Sequence, residues 1–253
     1  RSDSINDEGE VLDGNLPDVP HLQDPDRVEM ARIAVEELDT RLILLDDGFQ
    51  HRRLARDVDI VLIDALNPFG HRRLFPRGLL RESIRSLKRA SVVVLSRADL
   101  VSAEDREAIK AEARLSGQFD PRLWAEVRHA PINLVGEEID PEPIERIAGK
   151  RIAAFCGIGN PEGFRRTLLP LGGDLVDFKI FPDHHPYSAK DVEQLEQWAA
   201  SKGAELVLTT QKDLVKLRVP SLADVPLRAL RIGIEFMTGE TVMEAALLPL
   251  LQH

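Results

Sequence analysis

The residues best suited to chemistry are two adjacent carboxylates, Asp46 and Asp47, which follow an apolar run at residues 42–45 and precede Gly48. A hard cation such as Mg²⁺ takes oxygen ligands and commonly keeps one or two carboxylates beside phosphate oxygens. Four apolar residues in a row read as a short strand buried on both faces. In an open α/β sheet, ligands bind at the carboxyl ends of the strands. A strand that delivers Asp-Asp to a glycine turn therefore suits a Mg²⁺ ion held near a phosphate. The plainer alternative, with one Asp capping the next turn and the other solvated, fits those residues alone equally well.

A second group lies between residues 67 and 89. It carries His71, Arg72, Arg73, Arg77, Arg81, Arg85, Lys88 and Arg89, with Glu82 as the only acid and Leu74, Phe75, Leu79 and Leu80 interleaved. A basic, apolar island in an acidic chain suits an anionic amphiphile or an anionic membrane surface. For any single arginine in it a solvated residue paired with an acid elsewhere is the better reading, but less so for the cluster. The pair His184-His185 fits a base or orienting role better than a zinc site, because no carboxylate-rich His cluster accompanies it. Cys156 sits in an apolar run and reads as core. Asp57-Val58-Asp59-Ile60-Val61 matches the Asp-x-Asp-x-Val string of aspartate-nucleophile phosphatases, but it opens its strand instead of ending it. No Gly-x-x-x-x-Gly-Lys-Ser/Thr string occurs in the 253 residues.

The elements that must position these groups alternate. Residues 1–23 are acidic and read as irregular. Asp24-Pro25 opens a helix over 25–38, with Val28, Ala31, Val35 and Leu38 on one face. Buried strands are predicted at 59–64, again ending in Asp, and at 91–97. Ser102 and Asp105 then start a helix of about ten residues. Residues 118–150, with Pro121, Pro131, Pro141 and Pro143, read as a connector. A second α/β unit begins at Arg151, with strands at 152–156, 176–181, 205–208 and 230–236. Gly157-Ile158-Gly159 is a tight turn and Asn160-Pro161 opens a helix. Ser188 and Asp191 cap another helix, with Val192, Leu195, Trp198 and Ala199 on one face. An amphipathic helix over 241–251 closes the chain. Strands alternating with helices imply a parallel sheet with right-handed crossovers.

Composition narrows the class. The chain is 43% hydrophobic and 30% charged with net charge −10, values of a globular protein and not of a general nucleic-acid binder. One cysteine allows no intrachain disulfide, which fits a reducing compartment. No apolar run approaches the ~18 residues of a membrane span, and no signal peptide is visible. The chain opens on Arg1 instead of Met, and an upstream segment is expected.

Several strings together resemble one family. They are Asp46-Asp47-Gly48-Phe49-Gln50-His51-Arg52-Arg53-Leu54, Asn67-Pro68-Phe69-Gly70, Leu79-Leu80-Arg81-Glu82, Leu95-Ser96-Arg97-Ala98-Asp99, Gly157-Ile158-Gly159-Asn160-Pro161, Phe181-Pro182-Asp183-His184-His185 and Thr209-Thr210-Gln211-Lys212-Asp213. Their order and spacing resemble tetraacyldisaccharide 4'-kinase, the lipid A 4'-kinase, over nearly the whole chain. The resemblance implies an α/β fold, with a P-loop-kinase-like parallel sheet core incomplete at the N-terminus and a smaller C-terminal α/β domain. Residues 1–125 would be the nucleotide, Mg²⁺ and lipid-binding core, and residues 126–253 the C-terminal domain with its connector. The implied reaction moves the ATP γ-phosphate to the 4'-hydroxyl of tetraacyldisaccharide 1-phosphate at the cytoplasmic face of the bacterial inner membrane. The enzyme would be a peripheral monomer with ATP and Mg²⁺ as cofactors.

By the same resemblance Asp46 and Asp47 hold the metal, and Gln50 and Glu82 lie at the nucleotide. His51, Arg52, Arg53, Arg77 and Arg81 bind the lipid substrate, and the basic island faces the anionic membrane surface. The family's Gly-Asp-Glu string corresponds to Asn6-Asp7-Glu8, which makes Asp7 the base, with His184 pairing to it across the domain cleft. Two departures stand out. Gln211 replaces the usual Glu, and the P-loop that the family carries upstream is absent from these residues, so the 253 residues alone should bind ATP poorly. The alternatives are a non-catalytic lipid-phosphate-binding descendant that has lost the P-loop, and a metal-dependent phosphohydrolase using Asp46 and Asp47.

Overall fold

A computed structural model of the chain describes residues 7–120, 122–137 and 139–252. In chain order its elements are α1 (Asp7–Asn15), α2 (Arg27–Leu38), β1 (Ile60–Asp64), β2 (Val92–Ser96), α3 (Ala103–Gly117), β3 (Trp124–Gly136), β4 (Ile139–Glu142) and β5 (Arg151–Cys156). Then come α4 (Pro161–Leu168), β6 (Asp174–Ile180), α5 (Ala189–Ser201), β7 (Leu206–Thr210), α6 (Gln211–Leu217), β8 (Ser221–Leu222), β9 (Val225–Thr238) and α7 (Glu240–Leu251). The chain forms two compact units. One joins the segment ending at His21 to Ala130–Gly233, and the other joins Leu22–His129 to Ile234–His253.

In the unit built on Leu22–His129, β1, β2 and β3 run parallel, with Ile63 opposite Leu95 and Leu95 opposite Glu126. Every residue of β2 is buried, as an apolar run between two strands requires. One face packs Val93 and Leu95 against Leu87, Ala113, Phe119 and Trp124. The other packs Val92, Val94, Ala125 and Val127 against Phe236, Val242, Met243 and Ala246. Ser102 caps α3, its hydroxyl accepting from the Asp105 amide, and the helix runs fifteen residues where about ten were expected.

Three expectations fail here. Residues 42–45 are not a buried strand: they have no regular structure, and Leu44 is 84% exposed. A strand is stabilised by its neighbours, and none pairs with this run among the described residues. β1 is likewise not buried throughout, because its Ile60 and Leu62 face outward at the edge of the described sheet. The N-cap of α2 is Asp26, not Asp24. Asp26 accepts from the amides of Val28 and Glu29, while Asp24 accepts from the Asp26 amide in the turn before.

In the other unit β9, β7, β5 and β6 lie side by side and parallel. Phe155, Leu195, Val207, Leu222 and Leu227 are fully enclosed on one face, and Leu134, Ile147 and Leu208 on the other. Each such side chain contributes about 1.5–3 kcal/mol on burial. Ser188 and Asp191 form a reciprocal capping box that starts α5, and Asn160 caps α4 through the Gly163 amide. Residues 118–150 prove to hold β3 and β4, not a bare connector. Among the described residues β4 pairs with β3 alone, so Pro141 lies at an edge and interrupts no central ladder. The stretch expected to be irregular contains α1. Its first-turn acids Asp7, Glu8 and Glu10 suit a helix N-terminus, and all three find cations on or just past α6.

Candidate active site

The tightest cluster of functional side chains lies in the unit containing α1 and α6. β7 ends at Thr210, whose hydroxyl accepts from the Asp213 amide and so caps α6. This turns the Asp213 carboxylate inward, where it is fully buried. It accepts from the Gly157 amide at 3.0 Å, the Tyr187 hydroxyl at 3.1 Å and the Thr210 hydroxyl at 2.7 Å. These bonds tie the turn after β5 to the loop after β6. A Cβ on Gly157 would lie 3.0 Å from the Pro182 carbonyl oxygen and 3.1 Å from Asp213, so only glycine leaves that approach open. Phe155, Phe181, His185 and Tyr187 pack ring to ring beneath the loop. Burial, then the Asp213 charge, pushes the Tyr187 phenol far above its ordinary pKa, which keeps it a donor.

On this base His184 stands at positive φ, its amide donating to the Gly157 carbonyl at 3.1 Å. Its ring Nδ1 lies 3.0 Å from Asp7 Oδ2 and donates to it. Lys216, in the last turn of α6, places Nζ 2.7 Å from the same oxygen. Partial burial alone would raise the Asp7 pKa, but the hydrogen bonds from Lys216 and His184 outweigh it and hold the carboxyl below its ordinary range. The expected Asp7–His184 pair is thus present, but it lies inside one compact unit and not across a cleft between domains as expected. α1 is pinned further by Lys212 to Glu8, Arg218 to Glu10 and Gln211 to Asn15. Gln211 donates its amide to the Asn15 side chain at 3.0 Å, a bond the Glu expected there could not donate. Asn6 lies outside the described residues.

The other unit carries the remaining candidates. Asp46 and Asp47 sit exposed on a turn, Asp47 at positive φ, and a Cβ on Gly48 would collide with Leu45. Asp47 accepts from Arg81 at 2.5 Å, and both side chains are 64% exposed. Gln50 is exposed on the same turn. His51 turns its ring inward, with Nδ1 buried and unpartnered among the described residues. Arg53 reaches Asp26 only at 4.0 Å, and the structure shows no ion pair for Arg52 or Arg77 among the described residues. Glu82 accepts from Ser86 at 2.6 Å and Arg89 at 2.9 Å. Burial would raise its pKa, but those donors, with the Arg89 and Arg52 charges, hold it low.

Sequence reasoning missed four anchoring roles: those of Lys216, of Asp213 as a buried acceptor, of Arg56, and of Arg89, which it read only as part of the basic island. Arg56 Nη1 donates to the carbonyls of His51, Leu54 and Gly48, and its Nε bonds Asp59. Arg89 lies over the Phe49 ring at 4.3 Å and donates to the Phe49 carbonyl. The Asp213 signal was present, since Thr210 and Asp213 are spaced as a cap and an N3 acid. Nothing local to Lys216, Arg56 or Arg89 marks them.

A mostly parallel α/β sheet, with carboxylates held beside histidine and lysine in one unit and beside arginine in the other, defines an α/β protein with two clusters of ionisable side chains. Comparison with known proteins narrows this. The profile of LpxK, tetraacyldisaccharide-1-P 4'-kinase, matches residues 2–252, and the chain belongs to that family. It is 43% identical over 245 residues to tetraacyldisaccharide 4'-kinase of Anaeromyxobacter dehalogenans (strain 2CP-C), covering 95% of this chain and 64% of that protein. It is 40% identical over 219 residues to the same-named protein of Syntrophus aciditrophicus (strain SB), covering 83% and 58%. The fold is similar to the crystal structure of the "apo" form of LpxK from Aquifex aeolicus in complex with ATP. The TM-score is 0.71 and identity 26%, over 96% of this chain and 68% of that one. The chain therefore spans just under two thirds of the length of the first curated relative.

Proposed function

We propose that the protein built on this chain transfers the γ-phosphate of ATP to the 4'-hydroxyl of tetraacyldisaccharide 1-phosphate in lipid A biosynthesis. The observation that carries the reading is the Asp7–His184 pair: a carboxylate held ionised, partly exposed and oriented by a histidine on a braced loop. In the proposed step the 4'-oxygen attacks the γ-phosphorus as its proton passes to Asp7, and the bond to the β-phosphate oxygen breaks to release ADP. Phosphoryl transfer is mostly positioning and charge neutralisation, so the base adds a smaller factor of about 10²–10⁴. Family membership and the relatives' names support the substrate and the donor.

Asp46 and Asp47 are the proposed Mg²⁺ ligands. Their hard oxygens suit that ion with phosphate and water completing its shell, since no group of three or more His, Cys, Asp or Glu able to hold a metal occurs among the described residues. Mg²⁺ there would neutralise phosphate charge. Gln50 and Glu82 are proposed at the nucleotide, and His51, Arg52, Arg53, Arg77 and Arg81 at the lipid substrate. The proposed nucleotide and lipid core falls mostly in the unit joining Leu22–His129 to Ile234–His253, and the proposed C-terminal domain in the unit joining the segment ending at His21 to Ala130–Gly233, so the division expected at residue 125 leaves the two terminal segments, Asp7 included, on the wrong side.

We also propose peripheral binding of a monomer to the cytoplasmic face of the inner membrane. No helix among the described residues is long and apolar enough to cross a membrane. Phe75 and Leu79 are exposed beside Arg73, Arg77 and Arg85, which have no ion-pair partner among the described residues. The test is label transfer from γ-labelled ATP to tetraacyldisaccharide 1-phosphate by the full-length protein. Labelled 4'-phosphate, lost in Asp7→Ala, supports the reading. Lipid binding without transfer would instead identify a non-catalytic descendant, and phosphate release from a lipid phosphate without ATP a phosphohydrolase.

A further inference from the structure

Asp7 has one oxygen held twice. His184 Nδ1 and Lys216 Nζ both contact Oδ2, at 3.0 and 2.7 Å, no side-chain hydrogen bond to Oδ1 occurs among the described residues, and the Asp7 amide also bonds the carboxyl. We propose that Lys216 is a positioning residue for the base: its ammonium shares Oδ2 with His184 and so fixes the carboxylate with Oδ1 turned to the sugar hydroxyl. The inference rests on the proposed function and adds to it a residue that no sequence string marked.

Three features support it. The Lys216 side chain is only 13% exposed, so its charge needs a partner, and Asp7 is the carboxylate it meets. The helix that carries it is fixed at its other end by Asp213, the same residue that braces the turn beneath His184. α6 therefore sets both groups that grip Asp7. The neighbouring ion pairs have a different form: Lys212 and Arg218 meet Glu8 and Glu10 one to one, at the surface.

The elements that meet at Asp7 carry further charged and titratable groups. Glu8 and Glu10 lie on α1, Lys212, Asp213 and Lys216 on α6 with Arg218 just after it, and Asp183, His184 and His185 on the loop. Of these, Lys216 and His184 are the ones bonded to Asp7, so removing Lys216 weakens the hold on the carboxylate's anionic form. The Asp7 pKa then moves up, and the acid limb of kcat/KM moves to higher pH with it.

The experiment uses the full-length protein with Lys216→Met, Lys216→Arg and, as a control on the same helix, Lys212→Met. Two readouts are taken: the carboxyl carbon titration of Asp7 by NMR, and the pH profile of kcat/KM for label transfer. The expected result for Lys216→Met is an Asp7 titration and acid limb both displaced to higher pH. A kcat about ten- to a hundredfold lower, with KM little changed, should accompany it. Lys216→Arg should restore both and Lys212→Met should move neither. An unmoved Asp7 titration in Lys216→Met overturns the proposal whether or not the protein is a kinase. A fall in kcat with an unmoved acid limb overturns it too, since that is what a merely structural lysine would give. Should Lys216→Met not fold, Lys216→Arg decides: wild-type pH profile and turnover support the role, and loss of turnover with an unmoved titration overturns it. If the Asp7 titration shifts as expected but the wild-type protein transfers no phosphate, the electrostatic pairing stands and the proposed function falls.

Discussion

The α1–α6 region and the turn at residues 46–54 are both dense in charge, and they hold it differently. Around Asp7 every functional group has a second anchor: His184 stands on a turn braced by Asp213, and Lys216 on the helix that Asp213 starts. Around Asp46 and Asp47 the backbone is anchored, by Arg56 to three carbonyls and by Arg89 to Phe49, but the carboxylates themselves face solvent. The first arrangement sets direction and ionisation before a substrate arrives. The second leaves the carboxylates at the surface, Asp47 held, among the described residues, only by its exposed pair with Arg81, where on the proposed reading they would take their geometry from an ion and a phosphate. That division suits the proposed roles, with Asp7 as a directed base and Asp46 and Asp47 as Mg²⁺ ligands.

Removing the deepest anchor should break the comparison on its rigid side. Asp213→Ala leaves the Gly157 amide and the Tyr187 and Thr210 hydroxyls without their acceptor in a buried site. The expected loss is about 3 kcal/mol or more in urea unfolding, with turnover lost alongside. A loss under about 1 kcal/mol would mean that water replaces the carboxylate, and that the His184 loop is not braced as described. The backbone anchor of the other region should matter less. Arg56→Met frees three carbonyls near solvent and unpairs the half-buried Asp59, so about 1–2 kcal/mol is expected in the same measurement.

The two regions also differ in how far the sequence discloses them. Val92–Ser96 and the run at 42–45 look alike as strings, yet one is buried on both faces and the other is exposed, because burial depends on strands that pair with the run. The Ser188–Asp191 capping box was legible because both partners lie within one turn. α1 was not. Its acids are satisfied by Lys212, Lys216 and Arg218, some two hundred residues away, and nothing in Asp7–Asn15 alone shows that a cationic helix awaits it. The His184–Asp7 pair was reached only through family resemblance, and Lys216 lay beyond it because the Thr209-Thr210-Gln211-Lys212-Asp213 string stops three residues short. Local chemistry was readable, and long-range pairing was not.

The smallest expected change in stability carries the sharpest test of the open side. Asp47→Asn removes half of an exposed pair with Arg81, and such pairs contribute about 0.2–1 kcal/mol. Asparagine also tolerates the positive φ that Asp47 adopts. Unfolding free energy should therefore change by no more than about 0.5 kcal/mol. If Asp47 is only a solvated turn residue, label transfer should be equally unaffected. If it is a Mg²⁺ ligand, turnover should fall by about a hundredfold or more at ordinary Mg²⁺, and added Mg²⁺ should recover part of it, because the neutral amide oxygen is a weaker ligand than the carboxylate. Arg81→Ala separates the two roles of the pair. It frees Asp47 without altering its charge, so with the lipid saturating, to offset the loss of a proposed substrate contact, a metal ligand predicts an unchanged or lower Mg²⁺ requirement, whereas an Asp47 that only anchors Arg81 predicts the same defect from either substitution.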